Sequence, residues 1–376
     1  MSGATFDVII VGAGIVGAAC ANECASAGLR TAIIDRDIAG GGATAAAMGH
    51  IVVMDDSDPQ FALTRYSQQL WQELRDELPA NVEYEQCGTM WVAADEAEMS
   101  EVRRKADYYG KRGVPAEILD AGGVERLEPN LRKGLAGGLL VPEDVVLYPP
   151  CAASFLLEQA QRRGVKLHVG RPVSSMGKGR VRLEEGAEFT AATIVNAAGA
   201  WSPALTPGVN IKKRKGHLVI TDRYPGWVRH QLVELGYLKS AHSITADSAA
   251  FNVQPRQTGQ LLIGSSRQYG AEHKEVDHAI LSRMLQRAEE YLPGAGRMSA
   301  IRVWTGFRAA TPDKLPLIGP WPEDPTVYLA TGHEGLGITT SLATGRLLAD
   351  QLTGRKSAIP VEPYLPSRMA LERAHA

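Results

Sequence analysis

The 376-residue chain is poor in cysteine and aromatics, and it has no long apolar run and no excess of either charge. Four cysteines, none in C-x-x-C spacing, offer no metal finger, cluster or dithiol pair. Cys20 and Cys24 lie one helical turn apart in an apolar stretch and read, with Cys87 and Cys151, as core residues; the pattern suits a reducing cytosol. Lys plus Arg number 40 against 42 Asp plus Glu, a net charge of −2. That balance excludes a protein dominated by nucleic-acid or anionic-membrane binding. The first basic residue is Arg30, so no signal peptide is expected. The longest weakly polar run, Val8 to Ala21, holds three glycines and falls short of the about 20 residues a membrane span needs. The acidic stretch Asp55-Asp56-Ser57-Asp58 lacks the glycine and distal glutamate of a calcium loop, so no metal site is expected.

Hydrophobic residues make up 44% of the chain, enough for a large core, and the length suits two domains at roughly 150 residues each. The apolar run Phe6-Asp7-Val8-Ile9-Ile10-Val11 reads as a buried parallel strand. It enters Gly12-Ala13-Gly14-Ile15-Val16-Gly17, a G-x-G-x-x-G. An alanine-rich helix follows to about Ala27, then a strand Thr31-Ala32-Ile33-Ile34 ending in Asp35. In this order each part serves a dinucleotide. Gly12 permits the turn, Gly14 lets backbone approach a pyrophosphate, and Gly17 allows close packing of helix on strand. The helix amino terminus offers N–H groups to phosphate, and Asp35 can hold a ribose hydroxyl pair. The bland alternative is a glycine-rich turn with no ligand. An acid at position 35 disfavours a 2′-phosphate, although Arg36 is adjacent.

The next tract, Gly40 to Gly49, is nearly free of bulk. A flavin would use such small residues, because backbone amides can then approach it closely; a surface loop is the alternative. Thr193 to Trp201 reads as a strand ending in small residues near the first turn. Val327-Tyr328-Leu329-Ala330 reads as another strand, leading through Gly332-His333-Glu334-Gly335-Leu336-Gly337 into a helix from about Ile338 to Leu352. The amino terminus of that helix could stabilise negative charge on a flavin ring.

The motifs GAGIVG (12–17), ATAAAMG (43–49), VNAAGAW (195–201), GFRAATPDKLPLIG (306–319) and GHEGLG (332–337) together resemble the glycine oxidase / D-amino acid oxidase (DAO) family of FAD-dependent amino acid oxidoreductases. The resemblance implies an α/β fold: a Rossmann-like FAD domain with an interleaved mixed-sheet substrate domain. It places the FAD domain at 1–80, 146–210 and 302–376, and the substrate domain at 81–145 and 211–301. It implies FAD contacts from Gly12, Ala13, Gly14, Ile15, Val16, Gly17, Asp35 and Arg36. It adds Ala43, Thr44, Ala46, Ala47, Met48, Gly49, Val173, Ala198, Gly199 and Trp201. The last group is Gly332, His333, Glu334, Gly335, Leu336, Gly337 and Ile338. No cysteine precedes Thr311-Pro312-Asp313, so the FAD is expected to be noncovalent.

On the substrate side, Arg308 matches the family's carboxylate-binding arginine, a task suited to a planar two-pronged cation. His333 either tunes the flavin or is a structural loop residue. His50 either approaches the ring or is an ordinary core or solvated histidine. Glycine oxidases carry a tyrosine where Asn252 stands here, and Tyr237 could fill that space; this departure counts against glycine. Gln254 and Arg267 are further pocket candidates, although strand alternation could turn either outward.

Within the family the GHEGLGIT form looks most like flavoprotein subunits of heteromeric dehydrogenases. The implied reaction is oxidation of a small or cyclic amino acid, D-hydroxyproline or D-proline first, with electrons passed to an iron–sulfur or second flavoprotein subunit. A peripheral membrane acceptor could follow, and the implied location is the cytoplasm, at the inner membrane face through partners. The alternatives are a self-sufficient oxidase releasing hydrogen peroxide, a flavoprotein used in RNA modification or binding, and an NAD-dependent dehydrogenase. The run Lys212-Lys213-Arg214-Lys215 reads as a solvated turn or, more sharply, a docking patch for an acidic partner or phosphate-bearing cofactor. Residues 275–292 read as one amphipathic helix.

Overall fold

A computed structural model describes residues 5–236 and 247–369. The chain builds two large sheets, one of eight strands and one of nine. The first has a parallel centre. The strand Thr5–Val11 lies between Thr31–Ile34 and Glu188–Asn196, parallel to both. Lys166–His168 continues the sheet on one side and Asp324–Thr331 on the other, again in parallel. Val8, Ile9, Ile10 and Val11 are all buried, as a strand covered on both faces requires. The helices Ile15–Ser26, Pro149–Arg162 and Gly337–Thr353 pack together against this sheet, and the core runs through them.

The second sheet is mixed. Its order is His333–Glu334, Ala300–Ala310, Lys212–Arg223, Gln260–Tyr269, Ser248–Pro255, Gln231–Glu234, Thr89–Ala93, Gly137–Val141, Glu117–Asp120. Among the described residues, Gln231–Glu234 and Thr89–Ala93 are its one parallel pair. The expected amphipathic helix covers one face over His278–Tyr291. Ile280, Met284, Ala288 and Tyr291 are its buried stripe, and Tyr291 stacks on Phe251 at 4.6 Å. Asp277 caps it, accepting from the N–H groups of Ala279 and Ile280. The opposite face of the sheet roofs the cavity described below.

The α/β class, with a Rossmann-like sheet and a mixed second sheet, is as expected. Two details differ. Ala300–Ala310 pairs along its length with Lys212–Arg223, so a boundary at 302 falls inside a strand of the second sheet. The run Lys212–Lys215 is not a turn: it opens the Lys212–Arg223 strand. Lys212 is exposed, but Arg214 and Lys215 are buried, so the run is no solvated patch of four cations. The physical reason is that strand alternation sends Arg214 and Lys215 to opposite faces and both faces are covered there.

Candidate active site

The first turn has the geometry its glycines suggest. Gly12 has a φ of 111°, and a β-carbon there would meet the Ala197 carbonyl oxygen at 2.5 Å. At Gly17 a β-carbon would lie 1.9 Å from the Gly12 carbonyl oxygen, so the turn folds directly onto the helix that follows. Asp35 braces this turn. Its Oδ2 accepts from the Ala13 N–H at 2.6 Å and its Oδ1 from the Asp37 N–H at 2.9 Å. Next to it the Arg36 guanidinium stacks on the Trp201 ring at 4.3 Å. Thr44, from the small-residue tract, accepts from the Ile15 N–H at 3.0 Å and so pins that tract to the helix amino terminus.

A cavity of about 520 Å³ begins at Asp35 and Arg36, passes this turn and the small tract, and ends beneath the second sheet. It is lined by Gly12, Gly14, Ile15, Val16, Asp35, Arg36, Ala43, Thr44, Ala46, Ala47, Met48, Gly49 and His50, and by Val173, Ala198, Gly199 and Trp201. Gly332, His333, Glu334, Gly335, Leu336, Gly337, Ile338 and Arg308 line it as well. Of the other expected cofactor residues, Ala13 and Gly17 do not face the cavity. Ala13 is fully buried, its N–H engaged by Asp35, and Gly17 packs under the Gly12 carbonyl. Tyr237 lies outside the described residues.

At the far end the roof supplies the polar groups. Arg308 pairs in register with Arg214, and its side chain crosses Gly216 to donate to the Ser266 carbonyl at 2.9 Å. Glu334 forms an ion pair with buried Arg214, and its carboxylate is 4.0 Å from Arg308 Nε. Arg214 also donates to the Tyr269 hydroxyl at 3.0 Å. Of the two uncertain candidates, Arg267 lines the cavity. Gln254 does not; it is buried and donates to Gln231, which does. Asn252 lines the cavity too, as do Trp91, Val233 and Ser265.

Both histidines are neutral groups. The His333 ring is buried, which pushes it down to about 3. Its Nε2 is 3.0 Å from the Thr344 hydroxyl, whose own proton goes to the Thr340 carbonyl, so Nε2 carries the hydrogen and donates. His333 thus lines the cavity while its N–H is tied to the carboxy-terminal helix. Burial, reinforced by the nearby Arg308 cation, pushes His50 down to about 4. Its Nε2 donates to the Gly335 carbonyl at 3.2 Å. Its buried Nδ1 finds no hydrogen-bond partner among the described residues.

Sequence reasoning missed Arg214, Gln231 and Ser265. Arg214 was hidden in the basic run. Ser265 carried a weak signal: with Arg267 it sits at period two in a strand that begins apolar at Leu261-Leu262-Ile263. Gln231 carried none. Among the described residues no group of acids, histidines and cysteines could hold a metal ion, and no helix is long and apolar enough to cross a membrane.

The family profile described as FAD dependent oxidoreductase (DAO) matches residues 7–351. The chain is 28% identical to a glycine oxidase of Geobacillus kaustophilus over 96% of its own length and 97% of that protein. It is 26% identical to hydrogen cyanide synthase subunit HcnC of Pseudomonas aeruginosa, over 98% of each. The crystal structure of glycine oxidase from G. kaustophilus superposes with a TM-score of 0.87 at 26% identity, covering 97% of this chain and 99% of that one.

Proposed function

The chain belongs to the DAO family of FAD-dependent oxidoreductases that act on amino acids, and from this premise we propose that it oxidises a small or cyclic amino acid to its imino acid. The residues present fit FAD. Asp35 and the Arg36–Trp201 stack stand at one end for the adenosine, and the glycine turn and helix amino terminus stand at the middle for the pyrophosphate. The small tract and the glycines of the bend at 332–337 line the slot for the ring. When bound, FAD supplies the two-electron oxidant that takes the α-hydrogen as hydride at flavin N5.

The chain's own residues position the substrate. Arg308 is the observation that carries the reading: a guanidinium facing the cavity, held flat over Gly216 by its bond to Ser266. It takes the substrate carboxylate as a two-pronged donor. His50 Nδ1, a buried acceptor, receives the substrate N–H. Loss of the amine proton and of hydride from Cα leaves a C=N bond, which balances the oxidation. D-hydroxyproline and D-proline are the first substrates proposed. The likeness to a protein named as a synthase subunit supports assembly with a second subunit; the proposed electron route runs through such a subunit, iron–sulfur or flavin, to a membrane-peripheral acceptor. The likeness to glycine oxidases supports the second reading, direct oxidation by oxygen with release of peroxide.

The test is anaerobic bleaching of the bound flavin by D-hydroxyproline, D-proline, L-proline, sarcosine and glycine. Bleaching by a cyclic amino acid is expected, and no bleaching by any of them rejects the proposal. Peroxide release in air against turnover with an artificial acceptor then separates oxidase from dehydrogenase.

A further inference from the structure

The seat of Arg308 lies in an irregular part of the sheet. The Ser266 carbonyl accepts from its Nη1 at 2.9 Å. Around Ser266 the strand 260–269 pairs unevenly with the strand 212–223. Lys215 pairs with Gln268 and Val219 with Ile263, so between those pairs the strand of Ser266 carries one residue more than its neighbour. A bulge of this kind interrupts the ladder, and the backbone groups it displaces must be held in another way. Here the His217 N–H donates to the Ser266 hydroxyl oxygen at 2.9 Å.

The His217 ring gives that oxygen a second bond. His217 stands two positions before Val219, which packs in the core under the helix His278–Tyr291, so its side chain is on the helix-covered face, away from the cavity. His217 and Ser266 are both fully buried. The His217 Nε2 accepts from the Asp277 N–H at 3.0 Å. The ring hydrogen therefore sits on Nδ1 and is donated to Ser266 Oγ at 2.9 Å. Burial, then the Lys215 cation, pushes the ring down to about 4, so it stays neutral with that one hydrogen.

Asp277 is fixed in turn. Its Oδ1 caps the helix, and its Oδ2 accepts from the Gln268 amide at 2.9 Å. A continuous run of bonds thus joins the start of the helix to the guanidinium: Asp277 to His217, His217 to Ser266, Ser266 to Arg308. The segment that leads into Asp277 also reaches the cavity. Lys274 lines it, and the Lys274 carbonyl accepts from the hydroxyl of Thr305, which is in register with His217. An apolar side chain at 217 would fill the space but leave the Asp277 N–H unpaired and Ser266 Oγ with one donor instead of two. We propose that His217 is a positioning residue for substrate binding: through Ser266 it steadies the bulged segment that seats Arg308, and through Asp277 it ties that seat to the cavity wall at Lys274. This rests on the carboxylate role given to Arg308 above.

The experiment uses the FAD-loaded protein. Acetate, a carboxylate alone, is titrated against the flavin absorbance of the oxidised protein, and D-proline is used to reduce the flavin anaerobically in stopped flow. His217→Gln keeps an acceptor for Asp277 but has no donor at the Nδ1 position, whereas His217→Asn keeps that donor and loses the acceptor. His217→Gln should raise the acetate dissociation constant and the D-proline KM about 10-fold, with kcat within about 2-fold and FAD content unchanged. His217→Asn should rescue both values to within about 3-fold of wild type. Placed on Arg308→Met, His217→Gln should add nothing further, because its effect passes through the arginine. If His217→Gln does not fold, Ser266→Ala, which removes the oxygen itself, takes its place. Equal losses in the two histidine variants, a loss confined to kcat, or additive losses with Arg308→Met overturn the positioning role. Acetate binding that is absent from wild type, or that survives Arg308→Met, rejects the carboxylate role of Arg308 and the relay with it. Binding lost in Arg308→Met but unaltered in His217→Gln rejects the relay alone. Failure of D-proline to reduce the flavin rejects that substrate, and the acetate titration still decides the relay.

Discussion

Gly216 offers a way to move Arg308 without changing a charge. A β-carbon at position 216 would lie 2.6 Å from Arg308 Nη1, 2.8 Å from Nη2 and 2.9 Å from Cζ. Ordinary contact begins at 3.4 Å, which leaves a shortfall of about 0.8 Å. The backbone of Gly216 lies outside the left-handed region, so alanine suits the strand itself. The obstructed atoms are the far end of a long side chain that can lift. Gly216→Ala should therefore fold and load FAD, yet tilt the guanidinium off its 2.9 Å bond to Ser266. Misplacing a binding group by about 1 Å can lower rate by about 10²-fold. We expect kcat/KM to fall about 10- to 100-fold, mostly through KM, read by stopped-flow flavin reduction. Flavin absorbance and melting temperature should stay near wild type. A folded, yellow Gly216→Ala protein with wild-type KM would refute the assignment of Arg308 to the substrate carboxylate.

Other changes probe the frame and the charges. In Gly17→Ala the new methyl meets a carbonyl oxygen of the backbone at 1.9 Å, which cannot yield cheaply; a loss of about 2–4 kcal/mol and of bound FAD is expected by thermal melting and flavin absorbance, and retained flavin would contradict it. Glu334→Gln leaves buried Arg214 without its carboxylate, so stability should drop by about 3 kcal/mol; an unchanged melting temperature would sink this. Asp144 is buried, which pushes its carboxyl from 3.8 up to about 7. The unfolded chain releases that proton first, so this group costs stability progressively as pH rises from about 4 to about 7, and no further above. The advantage of Asp144→Asn in melting temperature should grow over that window and then level off, and an advantage independent of pH would exclude the mechanism.

How much of this could be read in the chain beforehand follows from the range of the interactions. The strand, glycine turn, helix and Asp35 fall within 35 residues, and their geometry is set by local backbone rules, so they were legible. The bend at 332–337 was legible for the same reason. The roof was not. Asn252, Ser265 and Arg267 meet Arg308 only because four strands pair in the order 300–310, 212–223, 260–269, 248–255, which no local pattern dictates. The basic run misled because four like charges suggest solvent. It nevertheless joins Gly216-His217-Leu218-Val219-Ile220 without a turn residue between, and period two carried back through it would have sent Arg214 and Gly216 to one face. The partner of Arg214, Glu334, is 120 positions away, beyond any sequence pattern.

The charges at the far end argue for how the substrate amine loses its proton. Arg214 and Arg308 flank the single carboxylate of Glu334, and the helix that begins at Gly337 adds the positive end of its dipole. This surplus of positive charge favours a bound carboxylate and disfavours a bound ammonium. His50 and His333 hold protons only below about 4 and about 3, so neither takes the amine's proton at neutral pH. With these two histidines set aside, the proton is expected to leave for solvent as the substrate binds, and the pH dependence of flavin reduction should follow the amine of the substrate. Two substrates whose amines differ by one unit in pKa should give kcat/KM profiles displaced by about one unit. His50→Asn should change the height of the profile and leave its midpoint in place. A midpoint that stays fixed when the substrate changes, and moves with His50→Asn, would make the histidine the base and reverse this account.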